Sequence, residues 1–200
     1  MSFASFLVVG LLLGVRHATD ADHVVAVAAL AAREKRAPVI SKLGATWGAG
    51  HMLTVFGVGG AIIALGLVVP PRVALVFELC VGFMLIAIGA LNLVGSGNGN
   101  AAPRSAARSF GVGMVHGLAG STAIALMILA TIRDVRAALA YLVVFGLGTV
   151  AGMVAVTFAM SLPMVLVTRA SALQRHVGRV AGLVSVVFGF VVIWRTVAAW

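Results

Sequence analysis

The chain has 200 residues, of which 62% are hydrophobic and 10% are charged, with a formal net charge of +9. A soluble domain carries about 25% charged residues, so this composition excludes an ordinary soluble fold and points to an all-α integral membrane protein. The single cysteine, Cys80, excludes a disulfide framework and dithiol redox chemistry.

Apolar runs of about 20 residues are needed to cross a bilayer core as helices. Six are expected, in chain order Phe3–Ala32, Leu43–Val69, Val73–Val94, Phe110–Ile132, Ala137–Val167 and Val180–Ala199. The first and fifth are long enough to be tilted or broken. Residues 1–15 lack a basic n-region and a small-residue cleavage site, so they are read as mature protein rather than a cleaved signal. Pro70-Pro71 and Arg133-Asp134 mark turns, and Gly95–Ala107 reads as a flexible linker.

The net charge is not read as a nucleic-acid signal, because the basic residues cluster in short loops. Arg33, Lys35, Arg36, Lys42, Arg104, Arg108, Arg169, Arg175 and Arg179 fall on one side. Arg72, Arg133, Arg136 and Arg195 fall on the other. The positive-inside rule then places the first set in the cytoplasm and both termini outside, in the cytoplasmic membrane.

The halves of the chain resemble each other. Gly14-Val15-Arg16-His17 aligns with Gly113-Met114-Val115-His116, and Trp47-Gly48-Ala49-Gly50 with Phe145-Gly146-Leu147-Gly148. Gly82 and Gly89 align with Gly182 and Gly189. The offsets of 99, 98 and 100 residues suggest a duplicated three-helix unit within one domain, about 3–95 and 109–200. An odd number of spans inverts the second unit, and transporters built from inverted repeats bind substrate where the repeats meet.

The densest signal lies in the first span, Arg16-His17-Ala18-Thr19-Asp20-Ala21-Asp22-His23. Charge at membrane depth costs roughly 2.5–3.5 kcal/mol per residue on insertion scales, so such a cluster requires a compensating role. Imidazole with carboxylate suits Ni(II), Co(II), Zn(II) or Fe(II). Magnesium or calcium wants more carboxylates. On one regular helix, at about 100° per residue, Arg16, His17, Asp20 and His23 share an arc of roughly 120° and Asp22 points away. Asp22 can join them only if the helix bends or unwinds. Arg16 is read as a counter-ion for an aspartate, since guanidinium stays protonated.

Arg-His-Ala-Thr-Asp-Ala-Asp-His closely resembles the signature of the nickel/cobalt transporter (NiCoT) family, matched at His17, Asp22 and His23. Gly50-His51 resembles the Gly-His pair that follows in that family. Longer members carry acidic motifs on later helices, whereas Gly113–Ser121 contains no acid. The pattern is therefore similar to the short six-span, UreH-like urease-accessory branch. The resemblance implies a permease for Ni(II) or Co(II), with the ion as substrate rather than cofactor, the bilayer as surroundings, and partners in nickel-enzyme maturation. With Asp20 added from the shared helix face and His116 from the internal repeat, the candidate ligands are His17, Asp20, Asp22, His23, His51 and His116. Uptake is the direction the resemblance favours, with metal efflux or export of another solute as alternatives.

Other polar residues have plainer roles. Thr54, Ser121 and Thr122 are candidates for a polar path or for helix hydrogen bonds. Glu78 is expected to pair with Arg72 at the interface, with metal recruitment or proton coupling as the functional alternative. His176, between Arg175 and Arg179, is expected to be solvated in a loop. Trp47, Trp194 and Trp200 are expected as interfacial anchors. An enzyme is not expected, because the chain lacks the His-Glu-x-x-His of zinc proteases and has only five histidines.

Overall fold

The computed structural model describes residues 3–32, 34, 36–66, 70–94, 106–117, 129, 131–132, 134–167 and 171–199. Their helices are α1 (Phe3–His17), α2 (Ala21–Ala31), α3 (Ala37–Leu65), α4 (Pro71–Val94), α5 (Ala106–His116), α6 (Val135–Val167) and α7 (Ser171–Ala198). No strand occurs among the described residues. A helix satisfies its own backbone hydrogen bonds, which lipid cannot do for it.

Helix boundaries follow local chemistry. A proline sits in the first turn of α3, and α4 opens on Pro71, positions where a missing N–H is no loss. The α3 helix stops at Gly66, whose φ of +60° is left-handed and favours glycine. Asp134 starts α6 by accepting the Ala137 N–H on its carboxylate at 3.0 Å and the Ala138 N–H on its carbonyl at 2.9 Å.

Four helical stretches are long and apolar enough to cross a membrane: Ala37–Leu65, Arg72–Val94, Val135–Ser161 and Arg175–Ala198. A fifth crossing is formed if α1 and α2, bent by 48°, count as one broken span. The chain is thus a multi-pass membrane protein. Leu12, Leu65, Phe83, Val94 and Trp194 point outward, as lipid-facing side chains do. The expected span Phe110–Ile132 is described mainly through α5, and residues 118–128, including Ser121 and Thr122, lie outside the described residues, as does Trp200.

The long first span is broken into two helices, one of the outcomes its length allowed. Two expectations are corrected. The α7 helix begins at Ser171 rather than Val180, so Arg175, His176 and Arg179 ride on a helix instead of a loop. Trp47, expected at the interface, is only 1% exposed and lies in the core with Val81, Leu85, Ile88 and Val112.

Packing pairs α1 with α6, α3 with both α5 and α6, and α4 with α7. Close contacts recur at the spacing of the repeated segments. The α-carbon of Gly14 faces the Phe145 carbonyl and Thr149, and that of Gly113 faces the Trp47 carbonyl and His51. Gly82 meets the Gly189 carbonyl, and Gly89 meets that of Gly182. A side chain at Gly14 or Gly113 would occupy the space of a neighbouring backbone, so small residues here set the helix separation.

Candidate metal centre

The site forms where the first span breaks. The Thr19 hydroxyl donates to the Arg16 carbonyl at 2.7 Å, and the Thr19 and Asp20 N–H groups donate to the Arg16 and His17 carbonyls at 2.9 and 3.2 Å. These bonds close the end of α1. Asp20 then adopts an extended conformation and its carbonyl accepts the Val24 N–H at 3.1 Å, which starts α2. Aspartate is among the residues preferred at this position. The break turns residues 21–23 away from the path of α1, and so reorients Asp22.

Four imidazoles converge on the break. His17, His23, His51 and His116 are each at most 2% exposed. His17 Nε2 lies 3.0 Å from His51 Nε2, and His116 Nε2 lies 3.0 Å from His23 Nδ1. Asp22 joins them on both sides, with Oδ2 3.1 Å from His116 Nε2 and Oδ1 3.3 Å from His23 Nδ1. The His23 N–H also donates to Asp22 Oδ1 at 3.0 Å. Asp20 reaches the cluster through His17 Nδ1, 3.3 Å from its Oδ2.

Of the two arrangements left open by the sequence, the bent one is found. A regular helix would have given Asp20 a shared face with both histidines and turned Asp22 away. The bend brings Asp22 between His23 and His116, while Asp20 stays at the edge, beside His17. Arg16, expected as a counter-ion, is exposed, and no ion pair links it to either aspartate among the described residues.

The ligand-type atoms fall into two overlapping sets that share His23. Those of His17, His23 and His51 lie within 4.8 Å of one another, as do those of Asp22, His23 and His116. A first-row metal sits about 2.0–2.1 Å from imidazole nitrogen, which puts neighbouring ligands at right angles about 2.9 Å apart. The 3.0 Å contacts between imidazole nitrogens match that spacing. Buried ring nitrogens His23 Nε2, His51 Nδ1 and His116 Nδ1 make no hydrogen bond among the described residues. Unpaired buried polar atoms are costly, and a bound cation is one way to satisfy imidazole lone pairs.

Three helix ends meet at the cluster. Both α1 and α5 end on their histidine, His17 and His116, and α2 begins at Ala21 beside the same break. A helix C-terminus carries about half a negative charge and an N-terminus about half a positive one, so the start of α2 offsets one of the two C-termini. Aromatic rings back the imidazoles. Trp47 stacks on His23 with ring centres 5.3 Å apart, and Phe145 lies 5.9 Å from His17. Neither ring was expected at the site. Their matched places in the aligned segments around Trp47 and Phe145 were the available signal.

The remaining candidates sit as follows. The Thr54 hydroxyl donates to the Met114 carbonyl at 3.0 Å, tying α3 to α5 beside His51. Glu78 pairs with Thr196, not Arg72: the Thr196 hydroxyl donates to Glu78 Oε2 at 3.2 Å across the α4–α7 contact. His176 is exposed on α7.

The chain is similar to a protein named urease accessory protein UreH from Bacillus sp. (strain TB-90). The two are 29% identical over 202 residues, covering 92% of this chain and 89% of that protein. No family model and no solved structure matches the chain.

Proposed function

We propose that this protein is a membrane permease of the nickel/cobalt transporter family, in the UreH-like branch, moving Ni(II) or Co(II) through the cluster on its broken first span. One observation carries the reading. Four buried imidazoles and Asp22 form two ligand-spaced triads that share His23, inside a protein built to cross a bilayer. Imidazole with a carboxylate is the donor set of a late first-row metal. The similarity to a urease accessory protein supports nickel as the ion and nickel-enzyme maturation as its destination.

The architecture proposed is six spans in two inverted three-helix repeats within one domain, with a linker at about 95–108. Its support is the exchange of contacts under an offset of about 100 residues: the α1–α6 contact corresponds to α3–α5, and Gly82–Gly189 to Gly182–Gly89. The first repeat then contributes His17 and the second His116, so the cluster spans the repeat interface, where alternating-access transporters hold substrate. Both termini lie outside the cytoplasmic membrane by the distribution of basic residues.

Uptake is the proposed direction. A divalent cation moving inward at −100 mV gains about 4.6 kcal/mol, from about 2.3 kcal/mol per charge. The chain has no nucleotide-binding motif, and this gradient suffices for import. The reading is of a transport protein, not an enzyme.

The test is radiolabelled nickel flux into vesicles, with cobalt, zinc and manganese as competitors. His17→Ala and Asp22→Ala should abolish nickel accumulation while the protein remains in the membrane. Wild-type accumulation in either variant overturns the assignment.

A further inference from the structure

A second feature opens beside the cluster, between the start of α2, the first half of α4 and the end of α7. It is a cavity of about 350 Å³ whose lining includes Asp22, Glu78, Val192, Arg195 and Thr196. Two of the five carboxylates in the chain line it. In a membrane segment, ionisable side chains mark water-filled paths rather than lipid contacts. The buried Thr196 hydroxyl donates to Glu78 at 3.2 Å and holds that carboxylate on the wall.

The cavity shares Asp22 with the candidate metal centre. Asp22 lines the cavity and also stands 3.1 Å from His116 Nε2. Behind it, His116 Nδ1 and His23 Nε2 are buried ring nitrogens with no hydrogen-bond partner among the described residues. Glu78 lies seven residues into α4, about 10 Å along the helix at about 1.5 Å per residue. Arg195 shares the lining, so two carboxylates and one guanidinium leave it net negative.

The geometry points to this cavity as the water-filled vestibule through which a hydrated divalent cation reaches the histidine cluster, with Glu78 attracting it and Asp22 handing it on. The inference rests on the permease reading and adds a route and a residue to it. A cation with six waters needs about 180 Å³ at about 30 Å³ per water, which the cavity accommodates. Ligands then change in a graded order. The ion meets carboxylate oxygen at Glu78 and Asp22, then the set Asp22, His23 and His116, then His17 and His51 by way of the shared His23. Each step replaces water by one or two protein atoms, so the whole hydration shell is never lost at once.

The test uses the full chain in a Cys80→Ala background, because Cys80 is exposed. Val192→Cys, which lines the cavity, is compared with Val191→Cys, whose side chain is 44% exposed on the lipid face. A membrane-impermeant thiol reagent attacks thiolate, which forms in water and not in lipid. It should label Val192→Cys and not Val191→Cys, and nickel chloride should slow the labelling several-fold. Ala199→Cys, also on the lining, replaces Val192→Cys if that variant does not fold. An unlabelled lining cysteine, or labelling at the same rate with nickel present, overturns the vestibule.

Transport supplies an independent readout. Glu78→Gln should raise the half-saturating nickel concentration about tenfold, the lower end of what electrostatic focusing in a cleft provides, with the maximal rate within about twofold. Glu78→Asp should restore most of it. Unchanged half-saturation in Glu78→Gln overturns the role of Glu78. Calorimetric nickel binding by the wild-type protein separates the two levels. Wild-type protein that binds no nickel overturns the permease reading and the route together. Normal binding with an unlabelled cavity overturns the route alone.

Discussion

His17 Nε2 and His51 Nε2 face each other at 3.0 Å, although 34 residues separate them in the chain. One ring ends the helix that leads into the break, and the other lies inside the long helix α3. Neither the local sequence around His17 nor that around His51 contains this contact. It exists because α1 and α3 both pack on α6, with Gly14 letting α1 approach the Phe145 carbonyl.

The pair should act as a unit. His51→Ala should weaken nickel binding at least about 100-fold, beyond the 10–100-fold typical of residues that only support a ligand. His17→Ala with His51→Ala together should cost little more than either alone. Calorimetric titration of all three variants checks this, and additive losses would show that the two rings serve separate sites.

The two aspartates should differ. Asp22 contacts both His23 and His116, whereas Asp20 sits beside His17. Asp22→Asn should abolish measurable uptake, and Asp20→Asn should weaken nickel affinity by about 10-fold, the effect of disturbing a residue that orients a ligand. Nickel flux and binding measured on both variants give the ranking, and the reverse order would contradict the bend as the source of the site.

Trp47 should matter through its shape. It stacks on His23 and lies 5.6 Å from the His116 ring, centre to centre. Trp47→Phe keeps an aromatic wall and should hold nickel affinity within about threefold, while Trp47→Ala lets both imidazoles move and should weaken it about tenfold. Equal affinities in the two variants would remove Trp47 from the site.

Glycine substitutions should separate packing from lipid exposure. A Cβ at Gly113 would meet the Trp47 carbonyl, whereas one at Gly57 would meet nothing within 4 Å. Gly113→Ala should destabilise by about 1–3 kcal/mol, the usual cost of overpacking. Gly57→Ala should leave stability unchanged or raise it by up to about 1 kcal/mol through helix propensity. Unfolding in detergent, followed by circular dichroism, reads both.

The membrane class and most helix positions were legible in the sequence, as was the concentration of ionisable groups in residues 16–23. Those follow from composition, apolar run length and the cost of charge in lipid, which are properties of local segments. It also supplied the histidines as candidates, and the condition under which Asp22 could join them. Tertiary structure decided whether that condition was met. The 48° break between α1 and α2 depends on how two short helices dock on their neighbours, and helical periodicity cannot contain it. Tertiary structure likewise moved Trp47 from a presumed interfacial anchor to the wall of the site, and paired Glu78 with Thr196 at the far end of the chain. Both outcomes arise from helix-on-helix packing between residues far apart in sequence, where backbone approach at glycines, rather than any local preference, sets what touches what.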